Sequence, residues 1–175
     1  MASENELDYS PITRITVDAI GKPGQRVFYL QALCNGELIT LLIEKIQIQT
    51  LAVGVEQFLS EVTERFPDLS EANSSYVESE MHIQPPVDPL FRVGELGISY
   101  DYEKDILILI AREAGPSENM DENRTARFWC TRSQVRGLCH WGVEITNRGR
   151  PICPQCGEPM EPEGHFCPKK NGHKH

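Results

Sequence analysis

No apolar run in this sequence is long enough to cross a bilayer, and no secretory leader is legible. Met1 to Ser10 carries Glu4, Glu6 and Asp8 where a leader needs a basic start and an apolar stretch. Basic residues are also short, 17 against 26 acidic ones, for a formal net charge of −9. That balance opposes loose binding to phosphate backbones, which draws its affinity from clustered lysine and arginine. Cysteine is sparse outside the C-terminal segment. Cys34, Cys130 and Cys139 stand singly in apolar stretches, which reads as buried thiols in a reducing compartment rather than a disulfide framework. The expected location is the cytoplasm, where the Asn-x-Ser/Thr matches at Asn73 and Asn123 carry no meaning.

Catalytic patterns are lacking too. No Ser-His-Asp or Cys-His arrangement can be nominated, and the carboxylates are scattered, with none flanked by the apolar context that tunes an acid or base. Gly21 to Gly24 makes a tight turn but lacks the Lys-Ser/Thr ending and the following helix of a phosphate loop. His140 and Trp141 read as packing or interface residues, and His82 falls in a linker with no identifiable partner.

What is present describes a folded α+β chain of 175 residues, 39% hydrophobic and 25% charged, enough to bury a core. Residues 1–9 read as a polar, frayed start. Alternation over Ile12 to Ile20, a β-branched and aromatic run over Arg26 to Cys34, and Glu37 to Ile43 beyond the Asn35-Gly36 turn predict three strands. Ile48, Leu51, Ala52, Val55, Phe58, Leu59 and Val62 then share one helical face, and Pro67 ends a helix spanning about Lys45 to Arg65. Residues 67–89, rich in proline, serine and acids, read as a linker. Strands follow over Phe91 to Tyr102, Asp105 to Glu113 and Arg124 to Cys130; the run Ile106 to Ile110 should be buried on both faces. The capping box Thr131-Arg132-Ser133-Gln134 opens a second helix with its stripe at Val135, Leu138, Cys139, Gly142 and Ile145.

The body is thus strand-strand-strand-helix written twice, over residues 10–66 and 90–149. Gln47 to Leu51 aligns with Gln134 to Leu138, and after a one-residue insertion Gly54-Val55-Glu56 aligns with Gly142-Val143-Glu144. Such a duplication predicts an antiparallel sheet of about six strands with both helices on one face.

Residues 150–175 hold the clearest chemistry. Cys153-Pro154-Gln155-Cys156-Gly157 and Gly164-His165-Phe166-Cys167-Pro168 place four metal-binding side chains within fifteen positions. A Cys-x-x-Cys turn followed by glycine lets the chain fold back under a metal with both thiolates inward. The expected ligands are Cys153, Cys156, His165 and Cys167, with His173, then His175, as competitors for the fourth place. Histidine among thiolates favours zinc over iron, and a full set leaves no position for water, hence a structural zinc in a ribbon-like knuckle.

The pieces Gly24-Gln25-Arg26, Phe28 to Ala32, Glu44-Lys45 and Phe91-Arg92-Val93-Gly94, with the Cys153 to Asn171-Gly172 tail, give the chain a resemblance over nearly its full length to a bacterial family known as a domain of unknown function and labelled a repeat protein. Members of that family are often encoded beside a histidine-phosphatase-like and a kinase-like protein. No activity is established for it, so the resemblance implies the architecture and the metal ligands and supplies no chemistry.

The leading functional expectation is a zinc-binding accessory module with a protein partner. A rival from another class is an enzyme acting on a phosphorylated small molecule or phosphoprotein. Its candidate anion site is Lys45 and Arg132, which occupy equivalent helix starts where backbone N–H groups and the helix dipole attract anions. A nucleic-acid-associated ribbon, suggested by Lys169, Lys170 and Lys174, runs against the acidic body.

Overall fold

Asn35 and Gly36 both take positive φ, 51° and 80°, as in the two-residue turn whose twist matches that of the strands it joins. The computed structural model describes residues 4–22, 24–115, 122–148, 153–157 and 167. Its strands and α-helices are β1 (Glu6–Tyr9), β2 (Ile12–Ile20), β3 (Val27–Cys34), β4 (Glu37–Ile43), α1 (Lys45–Arg65), β5 (Pro89–Asp101), β6 (Ile106–Glu113), β7 (Thr125–Cys130) and α2 (Arg132–Arg148). The order strand-strand-strand-helix occurs twice, as the pattern predicts. No helix among the described residues is long and apolar enough to cross a membrane.

The seven strands form one sheet in the order β1-β7-β6-β5-β4-β3-β2. Val17, Leu30 and Leu41 lie side by side across β2, β3 and β4, as do Tyr100, Leu107 and Cys130 across β5, β6 and β7. Both helices cover this face: Gly142 of α2 abuts Val17, and the Phe58 ring of α1 meets Tyr100 edge-on at 5.9 Å. The helical stripes Ile48, Leu51, Ala52, Val55, Leu59 and Val62, and Val135, Leu138, Cys139, Gly142 and Ile145, are buried as their spacing predicts, with Phe58 of the first stripe half-buried.

Three features depart from the sequence-based expectation. The first nine residues are not all frayed, because Glu6–Tyr9 pairs with β7 from Glu6↔Thr125 to Tyr9↔Phe128 as a seventh strand. The sheet is not wholly antiparallel, since β1–β7 and β4–β5 are parallel pairs. Leu107 and Leu109, on the face under the helices, are fully buried, whereas on the other face only Ile108 is buried and Ile106 and Ile110 are half-buried.

The parallel pairs follow from one device used twice. In β5, Pro89 and Arg92 pair with Thr40 and Leu42 of β4, then a bulge between Val93 and Glu95 turns the strand onto β6. In the first unit β1 pairs with β7, and β2 takes up β3 with a bulge between Ile12 and Arg14. Only Ser10 and Pro11 separate these two strands at opposite ends of the sheet order. Three Cα steps of at most about 3.8 Å each hold Tyr9 and Ile12 within about 11 Å, so the sheet is rolled until its ends meet.

The helix starts correspond as well. Gln47 accepts the Glu44 N–H and donates to the Val93 and Gly94 carbonyls at 3.0 and 3.3 Å. Gln134 accepts the Thr131 N–H and donates to the Ile12 and Thr13 carbonyls at 2.9 and 3.5 Å. Each helix therefore caps itself and ties down the bulge of the other unit.

The 67–89 segment packs as part of the core, with Ala72 and Met81 buried. It crosses to the face opposite the helices. There Thr16 donates to the Met81 carbonyl at 2.5 Å, and Gln31 and Gln84 exchange two hydrogen bonds of 2.8 and 3.0 Å. Buried Thr16 and Gln31 thus have partners, as polar groups removed from water require.

Candidate metal centre

The turn Cys153-Pro154-Gln155-Cys156-Gly157 closes by a hydrogen bond from the Gly157 N–H to the Cys153 carbonyl, 2.9 Å, with Gly157 at φ +75°. Only glycine takes that conformation without a Cβ penalty. The Cys156 and Gln155 N–H groups turn toward the Cys153 sulfur and pull its thiol down to about 6, which favours the thiolate that a metal binds.

Cys153, Cys156 and Cys167 Sγ all lie within 4.8 Å of one another, and Cys153 and Cys167 Sγ are 3.8 Å apart. A disulfide needs about 2.05 Å. Bonds of about 2.3 Å to a tetrahedral zinc instead give sulfur–sulfur edges of about 3.8 Å. Cys153 and Cys167 are buried and Cys156 is half-buried. Three converging thiols of this spacing can hold a metal ion, so the donor set fits the group that the spacing predicts. His165, His173 and His175, the proposed sources of the fourth donor, lie outside the described residues, as do Lys169, Lys170 and Lys174.

The remaining cysteines are core residues. Burial pushes the Cys130 and Cys139 thiols up to about 12, far from the thiolate that a nucleophile requires.

The structure places Arg132 in a closed network. Its Nε and Nη2 donate to Asp105 at 2.7 and 3.1 Å, and Nη1 donates to the Ser70 carbonyl at 2.9 Å. An arriving phosphate would have to displace Asp105. Arg132 lines a cavity of about 380 Å³ with Arg136, Glu56 and Glu71, and Lys45 is not among its lining residues. At the start of α1 the N-cap is Glu44, so a carboxylate already stands where the helix dipole attracts an anion.

Sequence reading missed Asp105, Glu56 and Tyr100. The Arg132 guanidinium holds the Asp105 carboxyl below its ordinary value, and Tyr100, which donates to Asp105, is raised to about 12 chiefly by burial. Glu56 accepts a bidentate pair from Arg136, 2.8 and 3.1 Å, and lies 3.0 Å from His140 Nε2; these bonds, Arg136 foremost, lower its carboxyl. Arg136 also donates to the Ala72 carbonyl, and Glu144 accepts from Tyr76. One signal for these roles was in the sequence, where Glu56 aligns with Glu144. Glu144 ties the 67–89 segment to α2 directly through Tyr76, and Glu56 does so indirectly by holding Arg136 on the Ala72 carbonyl.

Because the Asp105 carboxyl is depressed, its stabilisation is present above its unfolded value near 3.8 and is lost as pH falls through the lower folded value. Asp105→Asn should therefore be less stable than wild type at neutral pH, with the gap closing below about pH 4. Urea midpoints at neutral and acid pH check this; a gap that does not change with pH would show that the ion pair contributes nothing.

No curated protein and no solved structure matches this sequence. A family model does match, over residues 7–167, with the description protein of unknown function. With nearly the whole length covered, including the three clustered cysteines, the chain belongs to the DUF3090 family.

Proposed function

We propose that this protein is a zinc-binding accessory module, in which a repeated strand-strand-strand-helix body binds a partner protein and a structural zinc orders the C-terminal knuckle. The observation that carries the zinc reading is the 3.8 Å separation of the buried Cys153 and Cys167 sulfurs, with Cys156 completing the cluster. Zinc in this site would be held by Cys153, Cys156 and Cys167, with His165 as the fourth donor. Bound there it supplies folding free energy, since so short a segment buries too little apolar surface to hold itself.

The same helix starts that would serve a phosphate are occupied by Glu44, and by Asp105 on Arg132, which supports the binding-module reading over the enzymatic one. Native mass spectrometry of the untagged protein with elemental analysis tests the metal. One zinc per chain, held through buffer exchange and removed by a strong chelator, is expected. A metal-free chain, or iron in place of zinc, would overturn the assignment.

A further inference from the structure

Gly54 and Gly142 occupy corresponding places in the two helices, and their surroundings differ. A Cβ at Gly142 would lie 2.7 Å from Ile48 Cγ2 and 3.1 Å from Val17 Cγ2, so α2 is pressed onto β2 and α1. A Cβ at Gly54 meets nothing within 4 Å, and neither does one at Gly97 of β5. Both glycines line a cavity of about 380 Å³ between α1 and β5, with apolar walls from Ile46, Leu51, Val55, Leu96 and Ile98.

The strand beside this cavity has an open edge. β5 pairs with β4 only through Pro89 and Arg92, and the Gln47 amide covers the Val93 and Gly94 carbonyls. From Glu95 to Asp101 its only strand partner among the described residues is β6. β2 has the same open side, but the chain fills it: the Trp141 indole donates to the Val17 carbonyl at 2.7 Å. Ile98 is the counterpart of Val17, five residues beyond its bulge in each case. The counterpart of Trp141, one position before the glycine, is Val53, which is 70% exposed.

We infer that the groove between α1 and β5 is the docking site for an extended, apolar, lysine- or arginine-bearing segment of a partner protein, which adds a strand to the free edge of β5. An open edge offers N–H and C=O groups in alternation, and an extended polypeptide satisfies both. Gly97 within the strand, where a Cβ would meet nothing within 4 Å, allows another backbone to come close. The apolar walls take every second side chain of the incoming segment. The lining carries one charge, Glu95, loosely paired with Arg112 at 3.8 Å with 65% of its side chain exposed, and this selects for a basic residue in the partner.

The inference rests on reading the body as a protein-binding module, and the test separates the two. A random heptapeptide library displayed on phage is selected against the full-length, zinc-loaded protein, and enriched peptides are measured on wild type and on Gly54→Leu. Leucine at this position has room and favours the helix over glycine, so the variant should melt no lower than wild type while filling the cavity. Enrichment of alternating apolar peptides carrying lysine or arginine, with binding to Gly54→Leu weaker by about tenfold or more, is the expected result. Peptides that bind both proteins equally would overturn the groove and leave the module reading in place; no enrichment at all would overturn both. Two other outcomes also sink the inference: anilinonaphthalene sulfonate competing for the cavity while no peptide does, which would mark a small-molecule pocket, and a wild-type dimer that Gly54→Leu dissociates, which would make the occupant a second copy.

Discussion

Cys167→Ser should abolish zinc retention and release the Cys153 turn, and leave the sheet with its melting temperature. A serine hydroxyl does not replace a thiolate on zinc, and structural zinc in small knuckles contributes about 10–16 kcal/mol of apparent folding free energy near neutral pH. On the proposed two-part reading that energy is local. Among the described residues the backbone–backbone bond of the turn runs from the Gly157 N–H to the Cys153 carbonyl, and the thiol of Cys167 comes from ten positions beyond Gly157. The core cluster, by contrast, runs from Ile12 to Ile145 without any of the three ligand cysteines. Hydrogen exchange reads both parts in one experiment. In Cys167→Ser, or after chelation, the Gly157 amide should exchange at an unprotected rate, while the Leu30, Leu41 and Leu109 amides keep their protection. Exposure of those three sheet amides along with Gly157 would show that zinc holds the whole body, and the two-part reading would fall. Acid should mimic the chelator, because protonated thiols do not bind the metal.

The parts of this fold that were legible in the sequence are those fixed by local patterning. The Ile12–Ile20 strand, the turn at Asn35-Gly36 and the Lys45–Arg65 helix follow from alternation, positive-φ residues and a buried stripe closed by Pro67, and they stand where that patterning put them. The same holds for Cys153 and Cys156, whose spacing fits a single turn. What was not legible depends on partners far away in the chain. Glu6–Tyr9 has too few residues and too much charge to read as a strand, and it becomes one because Thr125 to Phe128 lies open beside it. Arg132 was legible as a cation at a helix start, but its partner Asp105, 27 positions earlier, was not. Residues 67–89 have a linker's composition, yet Met81 and Ala72 are buried because Thr16, Gln31 and Arg136 bind the backbone around them. In each case a side chain of ordinary composition gains its role from the sheet's closure. Single-sequence periodicity carries no information about that closure.

Trp141→Ala should cost about 4 kcal/mol, the upper part of the range for truncating a large buried side chain. The indole is fully buried, its N–H satisfies the Val17 carbonyl on the open side of β2, and the Tyr76 and His82 rings meet it edge-on at 5.5 Å each. Truncation leaves a cavity and removes the stronger donor to the Val17 carbonyl, which keeps only the Thr16 hydroxyl at 3.1 Å. Trp141→Phe separates the two: it keeps most of the packing and loses the hydrogen bond, for about 1–3 kcal/mol. At about 2–4 °C per kcal/mol for a chain of this size, Trp141→Ala should lower the melting temperature by about 8–16 °C. Val53→Ala, at the corresponding place on α1, should change stability by no more than about 0.5 kcal/mol, as for an exposed surface substitution. Equal losses at the two positions would mean that α1 seals β5 as α2 seals β2, and the cavity beside Gly54 would then be too small to matter. Unequal losses fit a molecule whose two units share an order of elements and a pattern of bulge contacts, but differ at one position. Where tryptophan stands the sheet edge is closed by the chain itself; where valine stands the edge is left for another chain to close.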